Sequence, residues 1–160
     1  MQTLSAANVR HSFAAFPTGM ALIAAEVDGR NEAMLANSFA SVSLDPPLVS
    51  MAFTHASTTW PRLRQAQELG ITILAEANAG LVQQLSVPGP ARLDGLALDQ
   101  PLGYARTLPG AAATFVVRAH QYIPAGDHEL VLFEVLEHQR DIQASPLTYY
   151  NRHVGVIHPS

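Results

Sequence analysis

The sequence contains neither cysteine nor lysine among its 160 residues. Without cysteine, disulfides, thiolate nucleophiles, Cys-ligated zinc and iron–sulfur clusters are excluded. Without lysine, a Schiff-base mechanism and the lysine of a Walker phosphate loop are excluded. The motifs G-x-S-x-G, H-E-x-x-H and G-x-G-x-x-G are missing as well. We therefore expect any reaction to depend on a bound cofactor, and the scattered histidines predict no metal site.

Charge is scarce, since only 14% of the residues are charged, against about 25% in typical domains. We expect some apolar surface to be covered by a second subunit or a bulky ligand, and a homodimer is the simplest arrangement. The net charge is −4 and the nine arginines are scattered, which argues against nucleic acid as a partner. No apolar run approaches the roughly 20 residues of a membrane span, and no basic segment precedes one. We expect no membrane association and a cytoplasmic location.

The hydrophobic pattern predicts many short strands and few helices. Helices are predicted after Ser5, where Val9, Phe13 and Phe16 form an apolar stripe, after Thr59 to about residue 67, and after Asn78. Strands are predicted at 20–27, 33–44, 48–53, 69–75, 112–123, 128–137 and 147–157, with a loop at 87–101. Such a pattern is typical of a barrel or sandwich, here as one domain over residues 1–160.

Small hydroxyl residues crowd the segment 37–47, which reads N-S-F-A-S-V-S-L-D-P-P. Small side chains let a flat ligand approach the backbone. A single serine here would more simply satisfy backbone groups of an edge strand. The whole block favours a ligand-binding surface.

Three hydroxyl residues, Ser57, Thr58 and Thr59, lie at a predicted helix start. Such a start favours an anion, although a simple N-cap explains the same residues. Arg62 or Arg64 could add charge to a phosphate site, or either could be a solvated helix residue.

His128 follows the turn at 124–127 and opens a strand, so we expect it at the barrel rim. Two interpretations remain for it, contact with a ligand or a hydrogen bond to Asp127 or the backbone. Trp60 is interpreted as a core or interface residue.

Four segments, taken in order, resemble the flavin reductase-like family. They are 16–20 (F-P-T-G-M), 37–47, 126–128 (G-D-H) and 146–150 (P-L-T-Y-Y). The resemblance implies a mostly β fold, an FMN-binding split β-barrel with two or three short flanking helices. It also implies NAD(P)H-dependent reduction of FMN or FAD, with NADH or NADPH as co-substrate and a partner monooxygenase as one possible recipient of the reduced flavin. The alternatives are a flavin-holding electron carrier that does not use NAD(P)H, and a barrel with a degenerate pocket.

The resemblance also assigns site residues. His128 is the implied catalytic residue, near the nicotinamide, and Tyr150 and Arg152 belong to the pyridine-nucleotide side. The implied cofactor-binding residues are Thr18, Asn37, Ser38, Phe39, Ser41, Val42, Ser43, Ser57, Thr58, Thr59, Tyr150 and Arg152. Two segments depart from the family pattern: residues 33–35 (A-M-L) replace Gly-Met-Thr, and 85–86 (L-S) replace Phe-Ala. We therefore expect flavin affinity or choice to differ from that of relatives.

Overall fold

The computed structural model describes residues 3–158, which form ten strands and a few short helices. The strands are β1 (Thr18–Gly19), β2 (Ala21–Val27), β3 (Arg30–Ala36), β4 (Ala40–Leu44), β5 (Pro47–Thr54), β6 (Leu69–Ile73), β7 (Ala113–Ala125), β8 (His128–Arg140), β9 (Leu147–Tyr150) and β10 (His153–Val156). The helices are α1 (Ala6–Phe13), α2 (Trp60–Leu63) and α3 (Val82–Leu85), with 3₁₀ turns at Glu76–Leu81 and Pro90–Leu93. Within the described range, none of these helices is long and apolar enough to cross a membrane.

The main sheet is antiparallel and runs in the order β3-β2-β6-β7-β8-β5-β4. Strands β3 and β4 therefore lie at its opposite edges, although only residues 37–39 join them along the chain. The path from Ala36 to Ala40 spans at most about 14 Å, so the sheet must curl until its edges nearly meet. The result is a barrel split between β3 and β4, which confirms the predicted mostly β split-barrel fold. A small sheet, β1-β9-β10, flanks the main sheet.

Aromatic side chains fill the barrel interior. The ring of Phe53 stacks on Trp60, with centroids 3.8 Å apart, and Phe133 meets both rings edge-on. The indole Nε1 of Trp60 donates to the Glu129 carboxylate at 2.9 Å, so the one polar atom of that ring is satisfied. Trp60 is thus a core residue, one of its two predicted roles. A second apolar cluster, including Leu22, Leu85 and Leu147, packs beneath the small sheet.

Several predicted elements differ in the structure. The predicted strand 33–44 is two strands, because residues 37–39 leave one sheet edge to join the other. The predicted strand 147–157 is a hairpin, β9–β10, with a two-residue turn. The predicted loop 87–101 contains the 3₁₀ turn Pro90–Leu93, and the helix after Thr59 ends at Leu63.

Two predictions about helices also change. Ser5 does cap α1, accepting from the Asn8 amide at 3.2 Å. However, Phe13 and Phe16 of the predicted apolar stripe are 73% and 74% exposed. Asn78 does not begin a helix as predicted: it is buried inside the turn Glu76–Leu81, accepting from the Ala75 amide and donating to the Pro109 carbonyl, each at 3.0 Å.

Candidate functional site

A groove on the outer wall of the protein crosses the split of the barrel. One end, which we call the hydroxyl end, is a depression of about 420 Å³ lined by Ser57, Thr58, Thr59 and Arg92, among others. The middle is a depression of about 420 Å³ that shares Leu35 and Ser86 with the hydroxyl end. Leu35 and Ser86 belong to the two segments that depart from the family pattern, so both departures meet at one place in the groove.

The other end of the groove is larger. This arginine end is a depression of about 530 Å³ lined by Arg10, Phe13, Phe16, Thr18 and Arg152, among others. Asn37, Tyr149 and Arg152 line both this end and the middle. The three depressions therefore adjoin one another, and the predicted flavin segment and the predicted phosphate segment line neighbouring parts of one wall.

Ser38 fixes the chain where it crosses the split. Its hydroxyl accepts from the Ala52 amide at 3.0 Å and donates to the Ala52 carbonyl at 3.2 Å. This one side chain therefore makes the two hydrogen bonds to Ala52 that the backbone of a neighbouring strand would otherwise make. The Ser38 hydroxyl thus has the simpler of the two predicted roles, because it forms hydrogen bonds with backbone groups. Asn37, beside it, is exposed and lines the middle and the arginine end.

The rest of the serine-rich block lies away from the three depressions. Phe39 turns onto the core and stacks on Phe115, with centroids 5.5 Å apart. Ser41, Val42 and Ser43 follow along the edge strand β4, where Ser41 and Val42 are exposed and Ser43 is half-buried. Their contact with a ligand stays a prediction.

The hydroxyl end combines one capping residue with two free hydroxyls. Ser57 Oγ accepts from the Thr59 amide at 3.3 Å and the Trp60 amide at 3.0 Å, so Ser57 caps the start of α2. No hydrogen bond joins the hydroxyls of Thr58 or Thr59 to another residue of the range 3–158. Ser57 therefore makes the predicted cap, and the hydroxyls of Thr58 and Thr59 take no part in it.

Arg92 is a site residue that sequence reasoning missed. It is buried, and its guanidinium donates to the carbonyls of Val87 at 3.0 Å and Ala33 at 2.5 Å while lining the hydroxyl end. Burial lowers the pKa of this arginine, and the charge of Glu32 opposes that shift. A lone arginine in a loop rich in proline and glycine carries no signal of burial, because its partner carbonyl lies 59 residues earlier.

The arginines suggested for the phosphate, Arg62 and Arg64, are engaged elsewhere. Arg62 pairs with the carboxylate of Glu32. Arg64 pairs with Glu129 at 3.2 Å, and its guanidinium lies 4.4 Å from the ring centre of Tyr122. Neither lines the groove.

Thr18 brings an unsatisfied hydroxyl to the arginine end. Its Oγ1 is buried and finds no hydrogen-bond partner among the described residues. Leaving a buried polar atom unpaired costs about 1–3 kcal/mol, so a ligand atom that pairs with it would recover that energy. Thr18 lies opposite Tyr149 in the small sheet, and Tyr149 lines the groove, whereas the predicted Tyr150 is exposed beyond it.

His128 lies at the rim near the hydroxyl end. It is paired in register with Thr54, and residues paired in this way point to the same face of a sheet about 5 Å apart. Thr54 lines the hydroxyl end, so His128 faces the side of the wall on which the groove lies. Its Nδ1 lies 2.6 Å from Asp127 Oδ1, and this hydrogen bond lowers the pKa of Asp127. Both predicted interpretations of His128 are compatible with this geometry.

The electrostatics of the groove favour an anion. Its lining contains Arg10, Arg92 and Arg152 and no aspartate or glutamate, in a chain whose net charge is −4. Over residues 3–158, no three histidine, aspartate or glutamate side chains gather as a metal site would require. A split barrel whose outer wall carries a cationic, hydroxyl-lined groove defines a class of protein suited to a ligand with an anionic, phosphate-like group.

Comparison with known proteins agrees with this class. The family described as "Flavin reductase like domain" matches residues 13–158. A flavin reductase from Pseudomonas putida is 30% identical over 141 residues, which cover 88% of this chain and 83% of the relative. An NADH:FMN oxidoreductase from Rhodococcus erythropolis is 30% identical over 152 residues, covering 92% and 79%. The solved styrene monooxygenase flavin reductase of Pseudomonas putida S12 is 27% identical, with a TM-score of 0.85 and coverage of 96% and 99%.

The chain belongs to the flavin reductase-like family. The family predicted from the four segments is therefore confirmed. The predicted reaction class, an NAD(P)H:flavin oxidoreductase, is confirmed as well, because the relatives are flavin reductases and an NADH:FMN oxidoreductase.

Proposed function

We propose that this chain reduces FMN or FAD with NADH or NADPH, and that the flavin lies across the split of the barrel. The flavin phosphate binds at the hydroxyl end, and the ring lies beside Asn37 and the backbone of Ser38. The single observation that carries this proposal is that adjoining depressions run from Thr58 and Thr59 to Asn37 and Thr18.

The residues of the groove fit a flavin in three respects. Thr58 and Thr59 offer hydroxyls that no other described residue uses, and the buried Arg92 supplies positive charge beside them. Thr18 lines the arginine end, and its Oγ1 is buried without a hydrogen-bond partner among the described residues. Leu35 and Ser86 line the middle, a depression of about 420 Å³ that lies between the two ends.

When bound, a flavin would supply the redox chemistry, as the acceptor of the hydride and its two electrons from the dihydronicotinamide, which would leave as NAD(P)⁺. The chain's own residues hold the two reactants on one wall. Such positioning contributes up to about 7–11 kcal/mol to lowering a barrier in favourable cases. His128, held by Asp127, orients the nicotinamide from the rim. No side-chain acid or base is required for the hydride itself.

Anaerobic mixing tests the proposed reaction. The flavin-loaded protein is mixed with NADH or NADPH, and loss of the visible flavin absorption band is followed. We expect the band to bleach, whereas an electron carrier that does not use NAD(P)H would keep it. His128→Ala should retain flavin and lose most NAD(P)H oxidation. Unchanged steady-state kinetics in this variant would refute the role of His128.

We further propose a homodimer in the cytoplasm, with the whole chain as one domain and a monooxygenase as recipient of the reduced flavin. The edge strand β4 supports the dimer, because Val42 and Leu44 are 50% and 94% exposed on a strand with one free side. The relative that serves styrene monooxygenase supports the recipient. Analytical ultracentrifugation tests the dimer: a monomer at all concentrations would refute it.

A further inference from the structure

A buried acid lies beside the hydroxyl end of the groove. Glu32 belongs to β3 and is buried, although it does not line any of the three depressions. Side chains two residues apart on a strand point to the same face about 7 Å from each other, so Glu32 adjoins Met34, which lines the hydroxyl end. A negative charge is therefore held next to the place proposed for a negatively charged phosphate.

Two arginines compensate this acid from different sides. Arg62 of α2 pairs with the Glu32 carboxylate, and Arg92 donates to the carbonyl of Ala33, the next residue of β3, at 2.5 Å. Arg92 lines the hydroxyl end, whereas Arg62 does not. The charge of Glu32 reaches Arg92, because it opposes the lowering of the Arg92 pKa by burial. Glu32 is thus shared between an arginine that faces the groove and one that does not.

The turn that carries Thr59 also carries Arg62. The Arg62 amide donates to the Thr59 carbonyl at 3.1 Å, so both residues belong to the first turn of α2. The Arg62 side chain is half exposed, whereas the Glu32 side chain is mostly buried. Loss of Arg62 would leave a buried carboxylate without an ion-pair partner among the described residues, and loss of Glu32 would leave an arginine that water can solvate. The two losses therefore change the local charge in opposite directions.

We infer that Glu32 and Arg62 set how strongly the hydroxyl end prefers a phosphorylated flavin, an inference that rests on the proposed function. Arg62 neutralises Glu32, so no unpaired carboxylate opposes the attraction between Arg92 and the phosphate. Neither member of the pair touches the ligand, and both are positioning residues that act through the electric field at Arg92. A purely structural pair would only hold α2 against β3, and its loss would weaken every flavin alike.

The test is fluorescence titration with FMN and riboflavin, two flavins that differ only in the phosphate. The pH is about 8, where a phosphate monoester is doubly charged. Glu32→Gln should tighten FMN binding by about threefold to tenfold, the effect of one unit charge near a protein surface, and change riboflavin binding by less than about twofold. Arg62→Gln should weaken FMN binding by a similar factor and leave riboflavin equally unchanged.

A double variant separates the effect of charge from that of contact. Glu32→Gln combined with Arg62→Gln removes both charges, so FMN affinity should return to within about twofold of the wild type although the ion pair is absent. If Arg62→Gln alone does not fold, Glu32→Gln and the double variant still decide between the two roles, because neither leaves an unpaired carboxylate buried. Arg118→Gln, which breaks a largely exposed pair with Glu134 outside the groove, is the control and should change neither affinity.

The remaining outcomes are distinct. If the wild type binds FMN no more tightly than riboflavin, no phosphate is held at the hydroxyl end and the placement in the proposed function fails. If the wild type prefers FMN and both single variants keep that preference within about twofold, the inference fails alone. If the single variants and the double variant all weaken FMN and riboflavin together, the pair has a structural role only, which also overturns the inference.

Discussion

The core and the outer groove treat polar atoms in opposite ways. In the core, the indole of Trp60 is paired with Glu129, and the buried hydroxyl of Thr72 accepts a hydrogen bond from the Leu108 amide at 3.0 Å. In the groove, Thr18, Thr58 and Arg152 keep polar groups without a partner in the described chain. The interior is thus complete as it stands, whereas the groove is completed by a ligand. Substitutions inside should change stability, and those in the groove should change binding.

The largest effect should follow Gly70→Ala in the barrel wall. A Cβ at this position would lie 2.1 Å from the Arg106 carbonyl oxygen, which is backbone and cannot swing away. Overpacking of this kind typically costs about 1–3 kcal/mol, and we expect at least the upper value here. Urea unfolding measures it. Gly80→Ala, whose Cβ would meet nothing within 4 Å, is the matched control. Equal stability of the two variants would contradict the close approach of Gly70 in β6 to the Arg106 carbonyl.

Ser38→Ala should have the next largest effect, because Ser38 belongs to both regions. The change removes both hydrogen bonds to Ala52 and leaves that amide without its partner, so we expect a loss of about 2 kcal/mol in unfolding free energy. Flavin affinity should fall as well, because the chain segment that crosses the split is no longer fixed to Ala52. Ser41→Ala, an exposed serine of the same block, should change unfolding free energy by less than about 0.5 kcal/mol. A larger loss for Ser41→Ala than for Ser38→Ala would reverse this assignment.

At the hydroxyl end, one substitution should weaken ligand binding and another should lower stability. Thr58→Val removes a hydroxyl that no other described residue uses, so FMN affinity should fall about tenfold while riboflavin, which lacks the phosphate, binds as before. Ser57→Ala should instead lower stability by about 1 kcal/mol through loss of the cap. Fluorescence titration with both flavins and thermal unfolding measure the two effects. Equal weakening of FMN and riboflavin by Thr58→Val would argue against a phosphate at this end.

The smallest effect concerns the rim pair of Asp127 and His128. The hydrogen bond from His128 lowers the pKa of Asp127 below 3.8 in the folded state. The resulting stabilisation is present above that pH and is lost as the pH falls through the folded pKa. Asp127→Asn should therefore flatten the acid side of a plot of unfolding midpoint against pH and leave the neutral region little changed. If the unfolding midpoint of Asp127→Asn falls as steeply at acid pH as that of the wild type, Asp127 does not contribute to stability in the acid range.

The strands of the barrel could be predicted from the sequence more accurately than the residues that line the groove. Alternating apolar residues identify the strands of the barrel, because alternation reflects burial on one face only. The break after Ala36 has no such signal, since residues 37–39 contain neither glycine nor proline. It depends on the β4–β5 hairpin joining the far edge of the sheet through the pairing of β5 with β8, which lies much later in the chain. The serine-rich block was therefore interpreted as one surface, although only Asn37 and Ser38 reach the groove.

Arg92 and α1 were harder to predict for related reasons. Arg92 owes its burial to a carbonyl in β3, and a loop sequence does not record such a contact. The residues of α1 and the turn after it have a helical apolar pattern that normally indicates packing on a core, yet Phe13 and Phe16 are exposed beside the groove. An apolar stripe predicts that something covers it, and the fold decides whether that is the chain itself or a ligand.

A crystal structure of the FMN complex tests the central claim most directly. We predict the phosphate at Thr58, Thr59 and Arg92, and the ring across the split beside Asn37 and Thr18. A separate depression of about 400 Å³, whose lining includes Asp99, Thr114 and Gln139, provides the contrast. FMN bound there, or away from the split altogether, would contradict the account.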